Sequence, residues 1–457
     1  MDSQQPPRPD RWRIAVAGLV VMLCLGTIYS WSLFTRPLAA AFQWTNLEVS
    51  MVFAASIFAL GTGAVVGGRL QDRVDPRVVA ICGVGLWALG NLLAGLGTAR
   101  LGYGWLVVTY GLIGGFGNGI AYITPVATVT KWFPEARGMA GGMVVMGFGL
   151  GAVVFNTVVA NIDGFDLAAR HAAVYIAARD AAVRGGVSFD GASLALSQAD
   201  VSAVLSVFAY AGGVFALLAG SSALLLRNPP AGTGRRPFTS SLRPLRSLPP
   251  SEVVRTPQFY LLWTMMFVNV TAGILVISNA IPILSDLTGA TPAVSAAVYG
   301  GVAVFNGLGR IFWGWISDHI GRGRAYALIF GIQAVVFVAM GSLHSLVGVG
   351  LAFAIVLLCY GGGFGTMPSL SADFFGTSYL GMNYGMILTA WGVAGLVGPL
   401  LAGFVKDHTG SFVQALLPVA GALCAAVMLP LLTRRPRNAV VDLQTLASRV
   451  SQTPAPR

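Results

Sequence analysis

Twelve apolar runs, each long enough to cross a membrane, occupy most of this sequence. A transmembrane helix needs about 20 consecutive, mostly apolar residues. Runs of that length lie at roughly 13–34, 48–68, 78–98, 103–127, 138–160, 202–226, 257–282, 292–316, 325–343, 347–370, 381–404 and 411–433. Only 10% of the 457 residues are charged, whereas a soluble protein carries about a quarter. The pattern predicts an all-α membrane protein with twelve transmembrane helices.

The runs fall into two sets of six, separated by a segment rich in Pro, Ser and Arg. This composition is typical of a linker. We therefore predict an N-terminal six-helix bundle at 1–226, a cytoplasmic linker at 227–256, a C-terminal six-helix bundle at 257–434 and a cytoplasmic tail at 435–457. A polar, alanine-rich connection at 161–200 interrupts the first set. We expect it to be an insertion on the periplasmic side that carries no chemistry of its own.

A repeated turn indicates that the two halves are related. The sequence GGRLQDRVDPR (Gly67–Arg77) follows the second run, and WGWISDHIGRGR (Trp313–Arg324) follows the eighth. Their aspartates, Asp72 and Asp318, are 246 positions apart. Parallel repeats of six helices are expected of a carrier whose two pseudo-symmetric bundles rock against each other. The charged residues of the two turns are predicted to control gating: Asp72, Arg73, Arg77, Asp318 and Arg322.

The basic residues predict the orientation in the membrane. Arginines and lysines are concentrated in the short loops on the side of the N-terminus, in the linker and in the tail. By the positive-inside rule, both termini are cytoplasmic, and we expect the plasma membrane, which in a bacterium is the inner membrane. The net charge of +11 is therefore a topology signal that also favours contact with anionic lipid. It does not indicate nucleic-acid binding.

One arginine, Arg310, lies inside an apolar run. It precedes Asp318 by eight residues, so it lies roughly 12 Å inside the end of the helix. An intramembrane charge is costly and normally faces a cavity on the path of a substrate. A guanidinium is a fork of donors suited to a carboxylate. The alternative is a structural arginine neutralised by a carboxylate or a helix C-terminus, but no Asp or Glu falls within a span interior to pair with it. Arg310 is therefore the predicted substrate ligand, and Asn306, one helical turn earlier, shares its face.

Several motifs of this sequence resemble those of a known family. The resemblance is to the major facilitator superfamily and, within it, to the oxalate/formate antiporter family, which is related to the monocarboxylate carriers. The segments that carry it are GTIYSWSLF (Gly26–Phe34), KWFPEARGMAGG (Lys131–Gly142), TPQFYLLW (Thr256–Trp263), FNGLGRIFWGWISDHIGR (Phe305–Arg322), YGGGFG (Tyr360–Gly365) and NYGMILTAWG (Asn383–Gly392).

The resemblance implies roles for three positions. Arg310 matches the arginine that binds the substrate carboxylate. Asn306 stands where the mammalian monocarboxylate carriers have an aspartate thought to take part in proton coupling, which puts that proton route in doubt. Trp391 stands where the oxalate exchangers have a second cation, a lysine. One cation neutralises one carboxylate, so this difference favours a monocarboxylate over oxalate.

Other polar side chains lie on helices that line the cavity in such carriers. Tyrosine and asparagine can hydrogen-bond a carboxylate or a hydroxyl without carrying charge. In membrane proteins each is about as often used only for a hydrogen bond between helices. The candidates are Tyr29, Asn118, Tyr122, Asn279, Tyr360 and Tyr384. Asn118, Tyr122 and Tyr360 are favoured because they lie on two glycine-rich helices.

Three functions remain to be compared. The first is a secondary transporter of small monocarboxylates of the lactate, pyruvate, acetate, glycolate or formate class, with a proton as one candidate coupling ion. The second is a carboxylate antiporter of oxalate/formate type. A membrane enzyme or sensor would need a catalytic constellation or an attached soluble domain. The sequence has no nucleotide-binding loop, metal-ligand cluster or nucleophile–base arrangement, so we expect no enzyme and no cofactor. The expected partners are a small carboxylate and membrane lipid, and the expected functional unit is a monomer.

Overall fold

The computed structural model describes residues 11–185, 195–230, 247–409 and 412–436, and its regular elements are helices. The α-helices are α1 (Arg11–Gly26), α2 (Trp31–Phe42), α3 (Asn46–Gln71), α4 (Pro76–Leu106), α5 (Gly115–Trp132), α6 (Arg137–Ala160), α7 (Asp163–Arg184), α8 (Gln198–Ala223), α9 (Pro250–Val253), α10 (Pro257–Thr288), α11 (Pro292–Val302), α12 (Val304–Ile320), α13 (Arg322–Met340), α14 (Leu346–Phe375), α15 (Leu380–Thr409), α16 (Leu416–Ala426) and α17 (Met428–Leu432). The described residues also contain two short 3₁₀ segments (Thr27–Ser30 and Phe412–Ala415) and one π-helical segment (Val107–Gly114).

Twelve membrane spans follow from these helices. Within the described residues, eleven helical stretches are long and apolar enough to cross a membrane. One of them, Pro76–Trp132, has 57 residues and would be about 85 Å long if straight, against a hydrocarbon core of about 30 Å. Gly102 interrupts it with φ 72° and ψ −156°, and beyond it the Trp105 indole N–H donates back to the Leu93 carbonyl at 2.8 Å. The chain therefore reverses at Gly102, and the predicted twelve-helix fold is confirmed.

Several helices begin at side chains that satisfy their first free N–H groups. Thr45 and Glu48 form a capping box at the start of α3, and Ser197 and Asp200 do the same for α8. Thr256 accepts the N–H of Phe259 at the start of α10. Ser or Thr at the cap with an acid three residues later is the sequence signature of a helix start.

Two helix pairs make the most extensive contacts between the first six spans and the last six. α3 packs along α15, and α6 packs along α12. A Cβ on Gly68 would lie 2.3 Å from the carbonyl oxygen of Gly381, and one on Gly138 would lie 2.2 Å from that of Gly314. Only glycine allows backbones to approach this closely, as in many membrane helix pairs.

The 161–200 connection contains one long helix, α7, which packs on α2 through Ala172 and Tyr175 against Ala40. His171 of α7 lies 3.1 Å from the buried carboxylate of Asp200. Residues 186–194 of this connection, residues 231–246 of the linker and the tail beyond 436 lie outside the described residues.

Candidate functional site

Arg310 is fully buried where its helix packs against helices of both halves. Its helix, α12, is held between α6 and α14 by glycines. A Cβ on Gly142 or Gly365 would lie 2.2 or 2.1 Å from the carbonyl oxygen of Arg310, and one on Gly361 would lie 2.0 Å from that of Asn306. The glycine-rich sequences of α6 and α14 therefore set the depth of the arginine between the two halves.

The guanidinium has neutral partners. Its Nε and Nη2 donate to Oδ1 of Asn306 at 3.4 and 3.3 Å, and Nη1 donates to the carbonyl of Val145 at 3.3 Å. In the described part of the chain, no carboxylate lies within 4 Å of it. These bonds are longer than the usual 2.7–2.9 Å of a charge-assisted pair. The positive charge is therefore oriented by Asn306 but not neutralised.

Two phenylalanines flank the guanidinium, one from each half. The Arg310 Cζ lies 5.5 Å from the ring centre of Phe148 and 4.8 Å from that of Phe364. A cation over an aromatic face within about 6 Å is stabilised by the ring quadrupole. Sequence reasoning missed both rings. A usable signal exists, since each is an aromatic residue between glycines (Gly147–Gly149 and Gly363–Gly365) on a helix that packs closely against α12.

Four of the predicted tyrosines gather around the arginine in two cross-half pairs. The Tyr29 and Tyr360 hydroxyls are 2.9 Å apart. Tyr122 and Tyr384 lie near each other and near Arg310, but neither hydroxyl makes a hydrogen bond of regular geometry to another described residue. Buried hydroxyls without partners are uncommon in proteins. This part of the site therefore has donors to spare for a bound polar group.

Trp391 closes the same cluster. Its ring centre lies 4.8 Å from that of Phe364, 5.5 Å from Phe148, 5.6 Å from Tyr122 and 6.1 Å from Tyr29. It is fully buried, and its indole N–H makes no hydrogen bond to the described residues. The position thus contributes an aromatic wall and one more free donor beside the guanidinium.

Two predicted asparagines have other surroundings. Asn118 is buried on α5, where its amide nitrogen donates to the carbonyl of Leu25 at 2.8 Å. Asn279 lies at a break in α10, with φ −124° and ψ 20°. Its amide donates to the Leu275 carbonyl and to the Ser278 hydroxyl of its own helix, so these bonds do not join it to the arginine cluster.

The two repeated aspartates each bind the start of a helix from the other half. Asp72 accepts the N–H groups of Gly381 and Met382 at 3.0 and 2.9 Å, at the start of α15. Asp318 accepts those of Gly138 and Met139 at 3.0 and 2.7 Å, at the start of α6. A carboxylate at a helix N-terminus satisfies free N–H groups and complements the helix dipole. We call the side of the molecule that carries both turns the turn face.

The other gating candidates divide between the two turns. Arg322 pairs with Asp318 at 2.5 Å and with Asp373 at 3.3 Å. Arg73 and Arg77 line a cavity beside Asp72 instead. Burial raises the pKa of Asp72, while the N–H groups of Met382 and Gly381 and the charge of Lys131 act to lower it. Within the described ranges, no three His, Cys, Asp or Glu side chains cluster as metal ligands would.

The chain matches the Major Facilitator Superfamily over residues 15–164, 191–399 and 276–451. It is 27% identical to the oxalate:formate antiporter of Oxalobacter formigenes, over 88% of this chain and 86% of that protein. It is 27% identical to apicoplast pyruvate carrier 1 of Toxoplasma gondii, over 92% and 89%. It is 24% identical to monocarboxylate transporter 13 of Bos taurus, over 88% and 84%.

Solved structures share the fold. The outward conformation of the transporter FucP superposes with a TM-score of 0.66 at 16% identity, covering 93% of this chain and all of FucP. The proton:xylose symporter XylE also gives a TM-score of 0.66, at 14% identity, covering 95% of this chain and 98% of XylE. With matches along almost its whole length, this chain is an integral membrane protein of the Major Facilitator Superfamily and, as its fold and relatives indicate, a transporter.

Proposed function

We propose that this protein is a secondary transporter of small monocarboxylates and that Arg310 binds the substrate carboxylate. The observation that carries the proposal is the state of the arginine: it is fully buried, and no carboxylate of the described residues lies within 4 Å of it. Leaving a buried charge uncompensated is expensive. A bound carboxylate would compensate it with the bidentate geometry that a guanidinium offers.

The surrounding groups suit a small anion with one charge. Phe148, Phe364 and Trp391 fill the space around the guanidinium. The hydroxyls of Tyr122 and Tyr384 and the indole N–H of Trp391 make no hydrogen bond of regular geometry to the described residues. These neutral donors can bind the second carboxylate oxygen or a nearby oxo or hydroxyl group. No second cation is buried beside the first in the described part of the chain, which favours monocarboxylates over a dianion.

Transport would follow by alternating access around this site. We propose two six-helix halves at 1–226 and 257–434, joined by a linker at 227–256 and followed by a tail at 435–457, with the turn face, both termini and the linker cytoplasmic. The protein would lie in the plasma (bacterial inner) membrane. Binding of the anion neutralises Arg310 and lowers the cost of closing the two halves around it, so occupancy favours the switch between states.

A second candidate function is carboxylate exchange of oxalate/formate type. The similarity to the Oxalobacter antiporter supports it, whereas Trp391, at the position of the exchangers' lysine, weighs against oxalate itself. Counterflow in proteoliposomes separates the two functions. Uptake that requires carboxylate inside the vesicle and ignores an imposed pH gradient favours exchange, and net uptake driven by an inward proton gradient favours symport.

The experiment that tests the proposal is uptake of radiolabelled carboxylates into proteoliposomes. The panel is formate, acetate, lactate, pyruvate and oxalate, and the variants are Arg310→Gln, Arg310→Lys and, as a control, Arg324→Gln at an exposed position of the turn face. We expect monocarboxylate uptake by the parent and the control, loss with Arg310→Gln, and a reduced rate with Arg310→Lys, which keeps charge but loses the fork. Full transport by Arg310→Gln would refute the site.

A further inference from the structure

A cavity of about 560 Å³ opens at the turn beside Asp72. Its charged lining residues are Asp72, Arg73, Asp75, Arg77, Lys131 and Arg227. Small-molecule sites in proteins have volumes of about 300–1,000 Å³, so this cavity is large enough for a ligand. It lies at the end of α3 and the start of α4, far along the helices from Arg310.

The charges of this cavity are unbalanced. Both carboxylates already have backbone partners: Asp72 accepts from α15, and Asp75 accepts the N–H of Arg77 as the cap of α4. The four cations form no ion pair with any described residue. The Arg77 Nε is buried and has no hydrogen-bond partner among those residues. Four cations thus face the cavity against two carboxylates, and one of these, Asp72, already interacts with the charge of Lys131.

The related turn of the other half balances the same kind of charge internally. There Asp373, at the end of α14, pairs with Arg322 at 3.3 Å and with Arg137 at 3.5 Å. Gly138 and Gly381 donate to the two turn aspartates and are therefore equivalent positions, 243 residues apart. At the same spacing, Thr130 is the equivalent of Asp373, and Lys131 follows Thr130. The first half therefore has a neutral residue and an additional cation where the second half has an acid.

We propose that the cavity is an anion site that takes a phosphate group from outside the chain. A phosphate accepts several charge-assisted hydrogen bonds from arginine and lysine at once. The phosphate comes either from a lipid headgroup at the membrane surface or from a soluble phosphate. Because Asp72 lines the same cavity, the bound anion lies next to the contact that joins the halves.

Thermal unfolding of the purified full-length protein tests this site in two arms. In detergent, inorganic phosphate is titrated at constant ionic strength against chloride. In nanodiscs, phosphatidylglycerol in phosphatidylcholine is compared with phosphatidylcholine alone. A ligand of the folded state stabilises it in a saturable way. The variants are Arg77→Gln and the exposed Arg73→Gln, whose folding should be undisturbed, and the control is Arg324→Gln on the other half.

We expect saturable stabilisation in at least one arm, weakened about tenfold in each site variant by the loss of one charge-assisted contact and retained in the control. A response in nanodiscs alone identifies a lipid headgroup, and a response to inorganic phosphate identifies a soluble ligand. If neither arm responds, or if Arg73→Gln and Arg77→Gln respond as the parent does, the site is refuted.

Discussion

The two turns of the turn face make the same backbone contact with different support. In each, an aspartate at the end of a helix accepts the N–H groups of a Gly-Met pair that begins a helix of the other half. The Asp318 turn adds an ionic network in which Arg322 joins Asp318 to Asp373, and Asp373 in turn meets Arg137. The Asp72 turn has no such network in the described residues and has a cavity instead.

The repeated turn sequence thus preserves the backbone contact between the halves, but not the ionic support around it. A carboxylate on two helix N–H groups recurs because both halves share the turn sequence. The ionic network does not recur at the Asp72 turn. Thr130 replaces the acid Asp373 there, and Leu380 replaces the cation Arg137. We therefore expect the two halves to be held mainly at the Asp318 turn, with the Asp72 turn the easier to open.

The largest expected effect is from Asp318→Ala. The substitution removes two hydrogen bonds to a charged acceptor and leaves the largely buried Arg322 without its nearest carboxylate, a change on the order of 3 kcal/mol towards the open turn face. Asp72→Ala removes the two hydrogen bonds alone, which is about 2 kcal/mol. Spin labels at exposed Val74 and Arg324, in a background without the native cysteines, measure the separation of the two turns.

The matched control is Asp286→Ala, which removes an exposed carboxylate near the C-terminal end of α10. This variant should leave the distance distribution unchanged. Equal opening by Asp72→Ala and Asp318→Ala would show that the ionic network adds nothing to the contact.

A smaller effect is expected from Asp373→Asn. This variant keeps the Asp318 contact with α6 and removes the charge that attracts Arg322 and Arg137. Part-exposed ion pairs of this kind contribute up to about 1 kcal/mol, so the Asp318 turn should become similar to the Asp72 turn. The same label pair measures it. An unchanged distance distribution would mean that Asp373 does not stabilise the closed Asp318 turn.

The smallest expected effect is a pH dependence confined to the Asp72 turn. Burial in the closed turn raises the pKa of Asp72 above its ordinary value of 3.8, whereas opening returns the carboxyl to water. The closed form therefore binds the proton more tightly, so acidification favours closure and the effect is lost as the pH rises through the raised pKa. The difference between the parent and Asp72→Asn, measured with the same labels, isolates this contribution. Opening of the turn on acidification that is lost in Asp72→Asn would contradict this prediction.

Much of the fold follows from the sequence because a bilayer leaves few alternatives. Apolar length fixes a spanning helix, and the basic loops and the repeated turn predict two related sets of six. The runs at 78–98 and 103–127 placed a turn between them, but they did not show that the chain reverses at Gly102 with no loop between the helical segments. Helix ends and reversals depend on single backbone conformations, such as the positive φ of that glycine, which hydropathy does not encode.

For the candidate site, the sequence indicated the charge and several polar and aromatic neighbours, but not the two phenylalanines beside the guanidinium. Arg310 stands out because a cation in an apolar run is rare and costly. Its walls, Phe148 and Phe364, look like ordinary core residues, and only the crossing of α6 and α14 with α12 brings them to the guanidinium. The partner from Val145 is a backbone carbonyl, which no residue type could have indicated.

Binding of carboxylates to the purified protein shows whether Arg310 holds the substrate. The measurement is calorimetric titration of pyruvate and of oxalate into the parent, Arg310→Gln and Arg324→Gln, at one ionic strength. We predict that the parent and the control bind pyruvate more tightly than oxalate, and that Arg310→Gln binds neither detectably. Undiminished pyruvate binding by a folded Arg310→Gln protein would contradict the claim that one buried arginine holds one carboxylate.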